Sequence, residues 1–145
     1  MSVEEQKAVV RRFFAECLNK ADVDIADELL TPDFVSHFAG MPEPVRGTAH
    51  WKHLAAAYFT AFPDMHLTVE HLIAEGDKVV ARWTWRGTHN GAFMGIPPTG
   101  KQVTVTGSGV YRIVDGRIAE EWVNDDVLGL MQQLGAVPAP GQAGS

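Results

Sequence analysis

The stretch Val103–Asp126, VTVTGSGVYRIVDGRIAEEWVNDD, decides the fold. It reads as two strands joined by Asp115-Gly116. That dipeptide is a strong hairpin signal, because a two-residue type I′ turn needs residues that tolerate positive φ. Val103–Val114 is the longest strand pattern in the chain, and Arg117–Asn124 is the last. Gly107 and Gly109 interrupt the long strand, where glycine marks a bend or a close approach of another group. The hairpin runs into the paired acids Asp125-Asp126, and Asp126–Leu134 then reads as a short helix closing the sheet.

Working outward, Met65–Ala74 alternates, with Leu67, Val69 and Ile73 marking one side. Glu75-Gly76-Asp77 is a hairpin turn. Val79–Thr88 follows, with Val79, Ala81, Trp83 and Trp85 on one face and Arg82, Thr84 and Arg86 on the other. Gly91–Gly100 is a long excursion rich in Gly and Pro. Helices come first in the chain. Ser2 and Glu5 have capping-box spacing, and Val9, Val10, Phe13, Phe14, Cys17 and Leu18 form one apolar face. Asp22–Leu30 reads as a second helix, Asp33–Phe38 as a short strand, and Thr48–Phe62 as a third helix. The expected architecture is α+β: N-terminal helices packed on a curved antiparallel sheet, with a pocket between them. One domain is expected over 1–135 and a flexible tail over 136–145.

A net charge of -6, with no basic run to oppose it, argues against nucleic acid as a partner. The single cysteine, Cys17, rules out an intrachain disulfide and fits a reducing compartment. The N-terminus lacks the apolar centre of a signal peptide, and no window has the length of a membrane span, so a cytoplasmic location is expected. There is no phosphate loop, dinucleotide fingerprint or nucleophile elbow. His50 and His53 share a helix face but lack a third ligand, so no metal is expected.

The carboxylates are the better candidates for chemistry. Strict alternation from Arg117 puts Ile118, Glu120, Trp122, Asn124 and Asp126 on one face, and Ala119, Glu121, Val123 and Asp125 on the other. Trp122 is the largest side chain of the strand, which makes its face the expected pocket side and carries Asp126 inward. A carboxylate at an apolar pocket floor has a raised pKa, useful for proton transfer. The competing reading is that Asp125 or Asp126 simply caps the closing helix. His37 and His66 are further candidates to face the pocket.

Several runs resemble the SnoaL-like polyketide cyclases, also called ester cyclases. They are Phe62-Pro63-Asp64 through Ile73–Trp83, Gly87–Gly91 with Phe93–Lys101, and Glu120-Glu121-Trp122 to Asp126 followed by Leu128–Gly135. The resemblance covers all but about the last ten residues, making 1–135 a single SnoaL-like domain. It implies the cone-shaped nuclear-transport-factor-2-like fold. It also implies intramolecular aldol cyclisation of a small apolar carbonyl substrate with no cofactor or metal, through one aspartate near the end of the last strand. The family spacing, Trp, three residues, then Asp before Leu-Gly-Leu, places that role on Asp126. One departure is Asp125, where the family commonly has an apolar or aromatic residue. On this reading His37 and Asn124 position oxygens, and Phe38, Trp51, Tyr58, Trp83, Trp85, Met94 and Trp122 line the pocket. The alternatives are an isomerase or hydrolase in the same pocket, the latter needing Arg82 or Arg112 on the pocket acid, or a non-catalytic binding or dimerisation domain. A homodimer or higher homo-oligomer is expected, through an outer sheet face carrying Arg82, Thr84, Arg86, Thr104 and Thr106.

Overall fold

The computed structural model describes residues 1–138 and Gly141. The first helix, α1 (Val3–Arg12), is started by the expected capping box. The Glu5 N–H donates to Ser2 Oγ, and the Ser2 N–H donates to Glu5 Oε1, each at 3.0 Å. The helix then widens into a π-helical segment, Phe13–Leu18. The Asn19 N–H reaches the Phe14 carbonyl and the Asp22 N–H reaches that of Cys17, five residues back in both cases. In this wider turn Phe13, Phe14 and Cys17 are all buried against the sheet. The second helix is shorter than its sequence pattern: a 3₁₀ turn (Val23–Ile25) leads into α2 (Ala26–Leu29). The third, α3 (Thr48–Ala61), buries Trp51, Ala55 and Ala61.

Six strands follow the order β2-β1-β6-β5-β4-β3 across one sheet. They are β1 (Leu30–Phe38), β2 (Val45–Arg46), β3 (His66–Glu75), β4 (Lys78–Thr88), β5 (Gln102–Val114) and β6 (Arg117–Asp125). Asp115 and Gly116 both have positive φ, 49° and 79°, as the hairpin between β5 and β6 requires. The expectation of an antiparallel sheet needs one correction, since β1 lies parallel to β6. The chain reaches β6 from β1 only after α3 and four further strands, and a parallel neighbour is what so long a crossover permits. The result is helices packed on a curved, unclosed mixed sheet of the nuclear-transport-factor-2-like kind. After β6, α4 (Val127–Leu134) covers the sheet end and stops at Gly135, whose φ of 81° suits a helix C-terminus. Of the tail expected over 136–145, residues 139, 140 and 142–145 lie outside the described residues. Among the described residues no helix is long and apolar enough to cross a membrane.

The inner face of the sheet is aromatic. Val79, Ala81, Trp83 and Trp85 of β4 are all buried there, on the face that alternation gives them. In the sheet register Trp83 pairs with Gly107 on β5, and Gly107 pairs with Asp125 on β6. With no side chain at the middle position, the Trp83 indole lies across β5 and its Nε1 donates to Asp125 Oδ1 at 3.1 Å. A Cβ at Gly107 would stand 2.5 Å from Asp125 Oδ1 and 2.6 Å from Trp83 Nε1, closer than real contacts allow. A Cβ at Gly109 would meet the same indole ring at 3.1 Å. The two glycines therefore make room for an indole as well as interrupting the strand.

Gly107→Ala should destabilise the fold by about 1–3 kcal/mol, the usual cost of forcing an atom into a packed site. Chemical denaturation followed by tryptophan fluorescence measures this. Wild-type stability in that variant would show that the indole has room to move.

Candidate functional site

The β5–β6 ladder carries a bulge that decides which side chains of β6 enter the interior. Ile113 pairs with Ile118 and Arg112 pairs with Glu120, leaving Ala119 as the extra residue. Ile118 and Ala119 are consequently both buried. Beyond the bulge the parity is reversed relative to Ile118, so Glu121, Val123 and Asp125 point inward and Trp122 and Asn124 point outward.

The inward side chains meet a cavity of about 110 Å³ between the sheet, the π-helical segment and α3. Phe13, Phe14, Trp51, Tyr58, Trp83, Trp85 and Tyr111 give it mainly aromatic walls, and Glu121 and Asp125 are its only carboxyl groups among the described residues. The Asp125 carboxylate is held from two sides. Trp83 Nε1 donates to Oδ1 at 3.1 Å and Trp85 Nε1 donates to Oδ2 at 3.0 Å. Each oxygen keeps a second lone pair for a ligand. Burial raises the Asp125 pKa; the two indole bonds lower it, and the neighbouring Asp126 charge raises it again, leaving it above the ordinary carboxylate value. The balance is physically reasonable, since two charge-assisted bonds at about 1.5–3 kcal/mol each only partly offset the several kcal/mol of removing a carboxylate from water.

Glu121 is more deeply enclosed, at 4% exposure. Burial pushes its carboxyl from the usual 4.5 up to about 8, and the Ser36 hydroxyl pulls it back by less. Burial likewise pushes the Tyr58 and Tyr111 phenols up, helped at Tyr58 by Asp125 and at Tyr111 by Glu121 and Asp125. Cys17, raised to about 12 chiefly by burial, is a neutral thiol rather than a nucleophile.

The structure moves several sequence-derived positions. Asp126, expected to face the pocket, is exposed and caps α4, its Oδ1 accepting the Gly129 N–H at 2.9 Å. Asp125, expected outward, is the pocket carboxylate. The cause is twofold: the bulge at Ala119 breaks the alternation, and the largest side chain of β6 faces outward. Trp122 stacks on His37 on the outer sheet face, with centroids 5.3 Å apart and planes 9° from parallel. His37 is thereby also on the outer face, with Nε2 2.6 Å from Glu120 Oε2. Glu120 is further bonded by Arg112 Nε at 3.1 Å. Burial raises the Glu120 pKa, but the bonds with His37 and Arg112 outweigh it and hold the group below its ordinary value. Asn124 is exposed opposite Ser108, and His66 is exposed on β3. Met94 is 69% exposed, at the tip of a small turn held by paired bonds between Phe93 and Ile96. Phe38, Trp51, Tyr58, Trp83 and Trp85 do line the cavity. Among the described residues no group of three or more His, Cys, Asp and Glu is placed to hold a metal ion.

Sequence reasoning missed Glu121, Tyr111, Phe13 and Phe14 as wall residues. One signal was present for Glu121: it shares strand parity with Val123 and Asp125, and choosing that face would have selected both acids together.

An aromatic cavity between helices and a curved sheet, with carboxyls at its wall, goes with a fold of the nuclear-transport-factor-2-like kind. The family model for the SnoaL-like polyketide cyclases matches residues 8–134, and the chain belongs to that family. A protein from Jannaschia sp. CCS1, labelled a SnoaL-like polyketide cyclase, superposes with a TM-score of 0.86 at 31% identity, over 93% of this chain and 94% of its own. AclR of Streptomyces galilaeus, labelled a hydroxylase, gives 0.85 at 33% identity, over 95% and 85%. IdmH of Streptomyces antibioticus, labelled a polyketide cyclase, gives 0.80 at 33% identity, over 90% and 98%. No curated protein is significantly similar to the chain.

Glu121 links the site to stability. The folded chain keeps this carboxyl protonated up to about pH 8, whereas in the unfolded chain it ionises near 4.5. Between those values the unfolded state holds fewer protons, so stability should fall as pH rises, by at most about 1.4 kcal/mol per pH unit, and level off above pH 8. Asp125, also raised, acts in the same direction. Thermal melts from pH 5 to 9 should show the decline in the wild type and a flatter profile in Glu121→Gln.

Proposed function

We propose that this chain performs acid/base chemistry of the cyclase type on a small apolar carbonyl compound, with Asp125 as the base. The observation that carries this reading is the position of Asp125: a carboxylate inside an aromatic cavity, with each oxygen held by an indole N–H. The two bonds orient it without using all its lone pairs, and its raised pKa brings it toward the range useful for proton transfer. In the cyclisation, Asp125 takes a proton from a carbon flanked by carbonyls, and the C–H electron pair moves into the enolate. The enolate carbon then attacks a second carbonyl of the same molecule, forming the new C–C bond. The resulting alkoxide takes the proton back from Asp125, so substrate and product are isomers. The cavity's contribution is orientation and exclusion of water.

Two points favour this reading over a hydrolase and over a domain that only dimerises. A hydrolase reading asks for an arginine on the pocket acid, but Arg112 bonds to Glu120 on the outer face and Arg82 is exposed. A purely structural domain has no use for a carboxylate inside the cavity, where its burial costs stability.

Asp125→Asn should lower turnover about 10²–10⁴-fold, the usual contribution of a general base. The reaction can be followed as cyclisation of a polyketide ester or as α-proton exchange of a model carbon acid such as 2-tetralone, read by NMR. Circular dichroism checks that the variant is folded. Asp126→Asn retains a capping side chain and should keep near-wild-type rates. The reverse pattern would return the role to Asp126.

We also infer that the outer sheet face pairs with a second copy of the chain. A row of apolar side chains crosses it through Ile73, Val80, Val110 and Trp122, with Ile73 65% and Val80 40% exposed. The polar Arg82, Thr84, Arg86, Thr104 and Thr106 continue the same face on one side of that row. Sedimentation at micromolar concentration should give a dimer that Val80→Glu dissociates; a wild-type monomer would contradict the pairing.

A further inference from the structure

Asp125 accounts for one of the two carboxyls in the cavity, and the aldol sequence above leaves Glu121 without a task. Its surroundings are unusual for an acid. It is 4% exposed, lines the same cavity as Asp125, and forms none of the ion pairs among the described residues. No Lys, Arg or His lines the cavity among the described residues. Its neighbours in the sheet are Ser36 on β1 and Tyr111 on β5, both buried, and the Ser36 hydroxyl has no hydrogen bond of ordinary geometry. The Ala119 bulge is what turns Glu121 inward, so its burial follows from the backbone.

A buried carboxylate without a cation is far more costly than a neutral carboxyl, so the group sheds its charge. A neutral carboxyl is a hydrogen-bond donor, and inside an apolar cavity it requires an acceptor. Among the described residues no carbonyl or carboxylate accepts a bond from it, and a ligand oxygen is an acceptor of the right kind. Spacing adds a second constraint. Glu121 and Asp125 are four residues apart on one strand face, which separates their α-carbons by about 13 Å at a strand rise of about 3.3 Å. Groups placed so far apart along the strand address different parts of a ligand.

We propose that Glu121 is a specificity-determining group which, as a neutral carboxyl, donates a hydrogen bond to a ketone or ester oxygen at the end of the substrate remote from Asp125. The substrate class is then an uncharged, elongated, at least bicyclic carbonyl compound. It carries an acidic C–H at one end and an oxygen acceptor at the other. The inference builds on Asp125 as the base for the assignment of the two ends, but the donor role of Glu121 stands or falls separately.

The test uses 2-tetralone, its carbonyl-free counterpart tetralin, and 2-aminotetralin as a cationic counterpart, with binding measured by quenching of tryptophan fluorescence at pH 6.5. Wild-type protein should bind 2-tetralone at least ten times more tightly than 2-aminotetralin. Glu121→Gln, which keeps an N–H donor, should bind 2-tetralone within about threefold of wild type. Glu121→Leu should lose about tenfold for 2-tetralone and nothing for tetralin. Unchanged tetralin binding also shows that the Leu variant still has a folded cavity. Equal 2-tetralone affinity in wild type and Glu121→Leu would overturn the proposal, as would no binding of 2-tetralone to the wild type at millimolar concentration. Tighter binding of 2-aminotetralin that Glu121→Gln abolishes would also overturn it, by showing an ionised carboxylate. Failure of the Asp125 reading looks different: cyclisation of a polyketide ester would persist in Asp125→Asn while the Glu121 variants behave as expected.

Discussion

The site depends on an absence at the centre of the sheet. Gly107 stands between Trp83 and Asp125 in the strand register, and its missing side chain lets an indole from β4 reach a carboxylate on β6 across the intervening strand. Any larger residue would occupy the space through which that hydrogen bond runs. The bond in turn explains how an aspartate survives in an aromatic cavity. Trp83 and Trp85 provide large apolar walls and, at their Nε1 atoms, the two donors that partly replace the carboxylate's lost water. The same residues thus create the desolvation and limit its cost, leaving Asp125 raised in pKa but not stripped of partners.

A second backbone device sets the stock of inward side chains. Without the bulge at Ala119, a strand that buries Ile118 would send Glu120, Trp122 and Asn124 toward the helices and turn both cavity carboxyls into solvent. One extra residue instead gives β6 a hydrophobic end, where Ile118 and Ala119 are both buried, and an acidic end, where Glu121 and Asp125 line the cavity. The displaced side chains find uses outside. Trp122 stacks on His37, and Glu120 holds both His37 and Arg112, so the outer face has its own ordered cluster. Polar residues that resemble catalytic candidates in the sequence are in this way consumed by the outer surface.

These two devices mark where sequence reading succeeds and where it stops. The order of helices and strands, the Asp115-Gly116 hairpin and the inward face of β4 follow from periodicity and turn chemistry, and the structure has them. The parallel pairing of β1 with β6 is not encoded locally, because it depends on where a long crossover returns the chain. The π-helical widening at Phe13–Leu18 also escapes a 3.6-residue pattern, although the adjacent Phe13 and Phe14 are its visible trace. At β6 the error has a size of one residue. A strand has a period of two, so one bulged residue exchanges its faces, and alternation has no means of detecting it. Side-chain size misleads in the same direction, since a large aromatic side chain is equally at home stacked on a half-buried histidine ring.

The consequence is a division of labour between adjacent acids. Asp126 stands at the spacing the family pattern associates with its aspartate, and in this chain its carboxylate accepts the Gly129 N–H at the start of α4. Capping satisfies a donor that the first turn of any helix leaves open, so an aspartate there is useful whatever the pocket does. Asp125 accepts instead the indole N–H groups of Trp83 and Trp85. Its burial costs free energy, and an apolar residue there would remove that cost but leave both indole donors without their partner. A carboxyl held by two donors inside a desolvated cavity is the arrangement on which the proposed proton transfer rests. Glu121, the deeper of the two cavity acids, lacks such indole donors, and the spacing of the pair along β6 is the reason for reading the two as addressing different ends of one ligand.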